Sequence, residues 1–333
     1  MKNLNDYDVD IVITWVDGND PLWQSEYNRY KGESGDKTVS RFRDTNTLKY
    51  LFRGIEKFAP WVRKVFFVTC GQRPDWLNLN CDKLECVSHS DFMPERYLPT
   101  FSSHAIELNF HRIKGLSDRF IYFNDDFFLV NSTVKRDFFE EGLPKDNAVL
   151  TFYVPERLPM FFVPMANTYI SNHNFDKKQV ISQNRRKYFS LKNGKYILNN
   201  LSLASGNRFP GFKAFHIPSS FLKSAYNEIW EAEPEILEST SCHKFRVLTD
   251  VNQWAIQDWQ RCKGDFIPRE LSFGTFFNVT NDEDIKAINS YLLHSKYKCV
   301  CINDDGVDNF DAFKEELTKC FEELLPEKSL FEK

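Results

Sequence analysis

The chain has 333 residues, 42% apolar, 27% charged and 16% aromatic, with a formal net charge of −4. That is enough for one large domain or two ordinary ones, and the balance of apolar and charged residues excludes wholesale disorder. No apolar run approaches the roughly 18 residues of a membrane span, the polar start MKNLNDYDVD does not read as a signal peptide, and near-neutral charge argues against a nucleic-acid binder.

The first 130 residues alternate β-rich runs with amphipathic stretches. VDIVITWV (9–16) is a nearly continuous apolar run rich in β-branched residues, as expected of a buried strand. From Asp44 onward, Leu48, Leu51, Phe52, Ile55 and Phe58 recur at helical spacing, with Asp44 or Thr45 able to cap the helix and Pro60 to end it. KVFFVT (64–69) and KLECVS (83–88) read as strands. SSHAIELNFHRI (102–113) reads as a helix burying Ile106, Phe110 and Ile113, and RFIYF (119–123) as a strand running into Asn124-Asp125-Asp126. Strand and helix in alternation predict an α/β fold: a Rossmann-like, mostly parallel sheet flanked by helices. In such sheets ligands bind beyond the carboxyl ends of the strands, where Asp17 and the pair Asp125-Asp126 fall.

Residues 131–206 mix Pro-rich VPERLPMFFVPMAN (154–167), a basic run NRRKY (184–188) and polar loops; they read as a long insertion, a lid or an acceptor-side surface. Helical spacing returns with Phe221, Ala225 and Ile229. A further helix is expected after Asp250, and a last one from about 310 to 325 carries Phe313, Leu317, Phe321 and Leu324. The organisation expected is one domain, 1–333: a sheet-and-helix half to 130 with the ligand crevice, the insertion 131–206, and a helical half 207–333 completing that crevice.

Several residues invite chemistry, each beside a plainer reading. Asp17 and Gly18 can be only a turn closing a strand, or with Trp15 they can meet a nucleotide or sugar. Two adjacent carboxylates, Asp125 and Asp126, repel each other unless a cation compensates them. A divalent ion carrying a diphosphate would do so, and hard oxygen ligands suit Mg²⁺ or Mn²⁺; an exposed acidic turn is the alternative. His104, Glu107 and His111 share one helical flank, which permits a metal trio but favours a polar stripe with His111 bonded to Glu107. His216 suits a general base and Arg246 a phosphate clamp, although a lone His is usually structural and a helical Arg usually pairs at the surface. Arg41 and Arg43 carry the same ambiguity. The eight cysteines include no CxxC, and the single CxC, Cys299 and Cys301, lacks a second ligand pair, so free thiols are expected.

Four blocks in fixed order resemble the Stealth family of sugar-phosphate transferases: DIVITWVDGNDP; RFRDTNTLKYLFRGIEKFAPWVRKVFFVTCGQRPDWLNL through LPTFSSHAIELNFHRIKGLSDRFIYFNDDFFL; FHIPSSFLKSAYNEIWEAEPEILESTSCHKFRVLTD; and KCVCINDDGVDNFDAFKEEL. The resemblance implies a glycosyltransferase-A-like sheet fold and a phosphotransferase that moves sugar-1-phosphate from a UDP-sugar, a hexose or N-acetylhexosamine, to a glycan hydroxyl, releasing UMP. A metal-dependent glycosyltransferase releasing UDP is the nearest alternative. The implied catalytic set is Glu107, Asp126, His216 and Arg246; Trp15, Asp17, Gly18, Arg41, Asn124 and Arg246 would bind the donor; Asp125, Asp126 and Glu107 would hold Mg²⁺ or Mn²⁺. Asn303 and Asp304 are further candidates. Departures from the family pattern fall at His104, which weakens the trio, at Cys70, and at Arg43, which alters charge near the donor. The implied partners are the donor and an oligosaccharide or lipid-linked acceptor, which would place the protein in the cytoplasm or at the inner membrane face. NRRKY would assist there, or be a solvated loop; whether the chain forms a homodimer is open.

Overall fold

A computed structural model describes residues 7–32, 35, 42–153 and 162–333. Its first half contains β1 (Asp10–Thr14), α1 (Pro21–Tyr30), α2 (Leu48–Phe58), β2 (Val65–Thr69), β3 (Leu84–Ser88), α3 (Ser103–Glu107) and β4 (Arg119–Phe123). Next come β5 (Phe127–Leu129), β6 (Phe139–Glu140), β7 (Leu143–Asp146), α4 (Phe162–Asn174), α5 (Lys177–Gln183), α6 (Arg185–Tyr188) and α7 (Ile197–Leu203). The last part holds β8 (Ser219–Leu222), α8 (Lys223–Ala232), α9 (Pro234–Cys242), α10 (Gln253–Lys263), β9 (Ile267–Pro268), β10 (Gly274–Val279), α11 (Asp282–Leu292), β11 (Cys299–Asp304) and α12 (Phe310–Leu324).

The main sheet has the order β3-β2-β1-β4-β8, parallel except for β8, which runs antiparallel to β4. It is an α/β fold with a mostly parallel sheet covered on both faces. The near-continuous apolar strands follow from that cover: Ile11, Ile13, Val65, Phe67, Ile121 and Phe123 enter one core, while Val12, Phe66, Val68, Phe120 and Tyr122 enter the other. Residues from α2, α11 and α12 complete the first core and residues from α3, α8 and α10 the second. A smaller sheet, β10-β11-β5, lies on the first side, and β6-β7-β9 forms a third.

The predicted helix 102–113 is interrupted. Asn109 turns its amide inward to Ala105 O, at 2.8 Å, and Ser241 Oγ, at 3.1 Å, so α3 ends at Glu107 and a 3₁₀ turn resumes at Phe110–Arg112. Residues 219–222, which include Phe221 of the expected helical face, pair with β4 as β8 before α8 begins. The stretch 162–203 is mostly helical and packs on a separate core including Val180, Ile181, Tyr188, Phe212 and Phe266. Among the described residues no helix is long and apolar enough to cross a membrane.

Candidate active site

The strand order reverses direction beside β1, whose neighbours are β2 on one side and β4 on the other. Such a switch point opens a crevice at the carboxyl ends of the strands. Because β8 is antiparallel, its first residue, Ser219, pairs with Tyr122 near the end of β4. The segment entering β8 therefore delivers His216 to the place where Asn124, Asp125 and Asp126 leave β4. Short β5 pairs with β11 through Phe127 and Cys301, adding Cys301 to the same corner.

His216 Nε2 lies 3.7 Å from Asp126 Oδ2, and the Cys301 thiol donates to that oxygen at 3.2 Å. One ligand atom from each of Asp126, His216 and Cys301 falls within 4.8 Å of the others, the only such trio of metal-ligating side chains among the described residues. Burial, then the Asp126 carboxylate, pushes the Cys301 thiol well above its ordinary range. It is thus a protonated hydrogen-bond donor to Asp126, whereas a thiol must lose its proton to ligate a metal. The other carboxylate oxygen, Asp126 Oδ1, is buried without a hydrogen-bond partner. His216 is half-buried, its ring edge-on to Phe127, Phe276 and Trp254 at 5.0, 5.2 and 6.2 Å between centroids, which fixes the imidazole plane.

Further acids gather nearby. The Asp125 side chain is exposed at its surface, yet the surrounding protein, then the charges of Asp126 and Asp44, raise its pKa to about 7. Asp44 is raised as well, by burial first and then partly by the charge of Asp17. Neighbouring carboxylate charges at the end of a strand call for a cation. The unpaired Asp126 oxygen beside Asp125 fits one with a preference for oxygen ligands.

Glu107 is buried at the end of α3. The Tyr122 hydroxyl lies 3.1 Å from Glu107 Oε1, 2.5 Å from Asn124 Oδ1 and 3.0 Å from Thr14 Oγ1, while Glu107 Oε2 has no partner. Burial, then the Glu107 charge, holds the Tyr122 phenol well above its usual range; it remains a donor that ties Glu107 to the Asn124 turn. Arg246 donates to Ser103 Oγ at 2.6 Å, at the opening of the helix that carries Glu107. The three-residue stripe does not form. His104 lies 3.3 Å from buried Asp250, which His243 contacts at 2.7 Å. His111 stacks on Tyr226 and meets Trp230 at a tilt instead of bonding Glu107, because the backbone leaves α-helical geometry before reaching it.

Trp15 stacks on Phe67 at 5.8 Å. Asp17 closes a turn, its Oδ1 accepting from Asn19 N at 2.8 Å, while Gln72 bonds both its backbone N–H and carbonyl at 2.9 Å. At Gly18 a Cβ would meet Phe42 O at 2.3 Å, so backbone approach demands glycine there. Arg41 lies outside the described residues. Arg43 pairs with Asp304 at 2.7 Å and covers the Phe310 ring at 4.6 Å. Asn303 donates to Asn278 Oδ1 at 2.8 Å. Cys301 and Asp44 were missed as site residues: one reads as an inert thiol and the other as a helix cap, and neither motif signals a contact 175 residues away, such as that from Cys301 to Asp126.

Two family models match, Stealth protein conserved region 1 over residues 7–35 and conserved region 2 over residues 41–146. A capsular polysaccharide phosphotransferase WcwK of Streptococcus pneumoniae is 39% identical over 100% of both chains. A receptor polysaccharide phosphotransferase WefC of Streptococcus oralis is 37% identical over 97% of this chain and 99% of its own. The exopolysaccharide phosphotransferase cps2G of Lactiplantibacillus plantarum is 37% identical over 98% of this chain and 97% of its own. Among solved structures, the galactosyltransferase LgtC in complex with donor and acceptor sugar analogs aligns over 94% of this chain and 95% of its own, with 11% identity and a TM-score of 0.38.

Proposed function

From the premise that the chain belongs to the Stealth family, we propose that it is a polysaccharide phosphotransferase that moves sugar-1-phosphate from a UDP-sugar, a hexose or N-acetylhexosamine, to a glycan hydroxyl. The observation that carries this reading is the meeting of His216 and Asp126 at 3.7 Å beside a buried, unpaired carboxylate oxygen. That corner combines a base with an unpaired anionic ligand at the switch point of the sheet.

His216 Nε2 takes the acceptor hydroxyl proton as the hydroxyl oxygen bonds to the sugar-bearing phosphorus. The bond from that phosphorus to the bridging oxygen breaks, and UMP leaves with the bridging oxygen. Asp126 stabilises the imidazolium that forms, while Cys301 and the three rings hold carboxylate and imidazole in register. Asp125 and Asp126 would hold Mg²⁺ or Mn²⁺, and the ion would neutralise diphosphate charge; the expected further carboxylate, Glu107, forms no ligand trio with that pair in this structure. Trp15, Asp17, Gly18 and Asn124, at the ends of β1 and β4, would bind the donor, and Arg41 falls in a second donor-binding segment of the family pattern. Arg246, braced on Ser103, supplies the guanidinium for the transferring phosphate.

The test is incubation with a panel of UDP-sugars, Mg²⁺ and an oligosaccharide acceptor, followed by mass analysis of both products. UMP together with a phosphodiester-linked acceptor is expected. UDP with a simple glycoside identifies a glycosyltransferase instead, free sugar phosphate a hydrolase, and donor binding without turnover a non-catalytic subunit.

A further inference from the structure

The surface formed by residues 191–201 departs from an ordinary amphipathic segment. Its buried side is polar. Asn200 accepts from Leu150 N at 2.7 Å and donates to Ala148 O and Tyr188 O at 2.8 and 2.5 Å. Asn193 donates to Tyr188 O at 2.9 Å and accepts from Asn147 at 3.1 Å. Its outer side carries large apolar side chains: Leu191, Leu198 and Leu201 are 88%, 71% and 58% exposed. Leu198 and Leu201, three residues apart on α7, share one face.

The charge along this stretch of the sequence is equally one-sided. From Lys177 to Asn227 the sequence contains ten Lys and Arg residues and no Asp or Glu, in a chain whose net charge is −4. Arg185, Arg186 and Lys195 are exposed there; Lys192 has Glu270 at 3.8 Å. The segment also adjoins the candidate site, since Tyr196 packs edge-on against Phe215, the neighbour of His216, at 5.9 Å. Exposed leucines interspersed with exposed cations match a surface that is apolar beneath and anionic above, which is the interface of an acidic bilayer. An acidic glycan would satisfy the cations and leave the leucines in water.

We infer that the face built from α6, the turn at Leu191–Tyr196 and α7 docks peripherally on an anionic lipid bilayer, with Leu191, Leu198 and Leu201 entering the headgroup region. This surface stands independently of the reaction proposed above. The test is co-sedimentation of the full chain with vesicles of 70% phosphatidylcholine and 30% phosphatidylglycerol, and with pure phosphatidylcholine vesicles. Binding to the acidic vesicles only, weakened by salt, is expected. The triple variant Leu191→Ser, Leu198→Ser, Leu201→Ser should lose roughly ten-fold or more of it. Arg186→Gln with Lys195→Gln should lose about five-fold per cation removed. No binding to the acidic vesicles, or full binding by the leucine variant, would overturn the inference. Loss in the arginine–lysine variant alone, with competition by a soluble anionic oligosaccharide, overturns it in favour of a glycan surface. A leucine-dependent change in sedimentation of the protein alone overturns it in favour of self-association.

Discussion

Two groups of acids in this molecule are treated differently. Asp146 and Asp258 meet Arg261, whose Nε lies 2.8 Å from Asp146 and whose Nη1 lies 2.7 Å from Asp258; all three side chains are almost fully enclosed. The second group, Glu107 and Asp126, retains a buried oxygen on each carboxylate without a protein partner, beside Asp125. Desolvating an ion is costly wherever it happens. The first group offsets that cost from within and serves the fold. The second leaves it to something that arrives from outside, the physical mark of a site.

The sharpest way to break this contrast is Arg261→Met, which strands two enclosed carboxylates. It should lower stability by about 3–5 kcal/mol, read as a fall in the urea midpoint. Asp126→Ala should do the reverse: turnover with UDP-sugar and acceptor falls roughly 10²–10³-fold, about 2.7–4 kcal/mol of transition-state stabilisation, while the urea midpoint holds or rises. Normal turnover in that variant removes Asp126 from the chemistry. Asn200→Ala tests whether neutral polar groups in the helical region obey the internal rule. It leaves backbone groups at 148, 150 and 188 without their partner, and should lower stability by about 1–3 kcal/mol.

The smallest effect is a pH dependence at Asp125. Its folded pKa of about 7 stands above the ordinary aspartate value of 3.8, so folding takes up a proton between those values. The stability this proton represents is full below pH ~3.8 and is lost as pH rises through about 7. Asp125→Asn should therefore match the parent in melting temperature near pH 4 and exceed it increasingly toward pH 8, modestly because water reaches the side chain. Added Mg²⁺ should narrow the gap by stabilising the parent. A gap that stays flat with pH would sever Asp125 from the acid cluster.

What could be read from the chain divides along the same physical line. β1, β2 and β4 are legible because both sheet faces are covered, so nearly every residue of the strand is apolar. α2 and α12 are legible because each buries a single stripe. The acid end of β4 follows from strand direction alone. β8 was hidden because Phe221, Ala225 and Ile229 also fit a helix, and only pairing with β4 decides for the strand. Residues 162–203 resist the usual pattern because Asn167, Lys177, Asn193 and Asn200 are buried while leucines face out. Cys301 and Asp126 are joined only by the pairing of β5 with β11, which no local signal announces.

That pairing has a mechanical corollary. Asp125 and Asp126 occupy the hinge-length gap between β4, which belongs to the large sheet, and β5, which belongs to the small one; Ile302 N donates to the Asp126 carbonyl at 3.1 Å. The aim of the acid pair is set jointly by two separately built slabs. Nudging either slab, for example by loosening the α11–α12 packing behind β11, would re-aim these carboxylates without touching them, so activity can be tuned or spoiled from the far end of the chain.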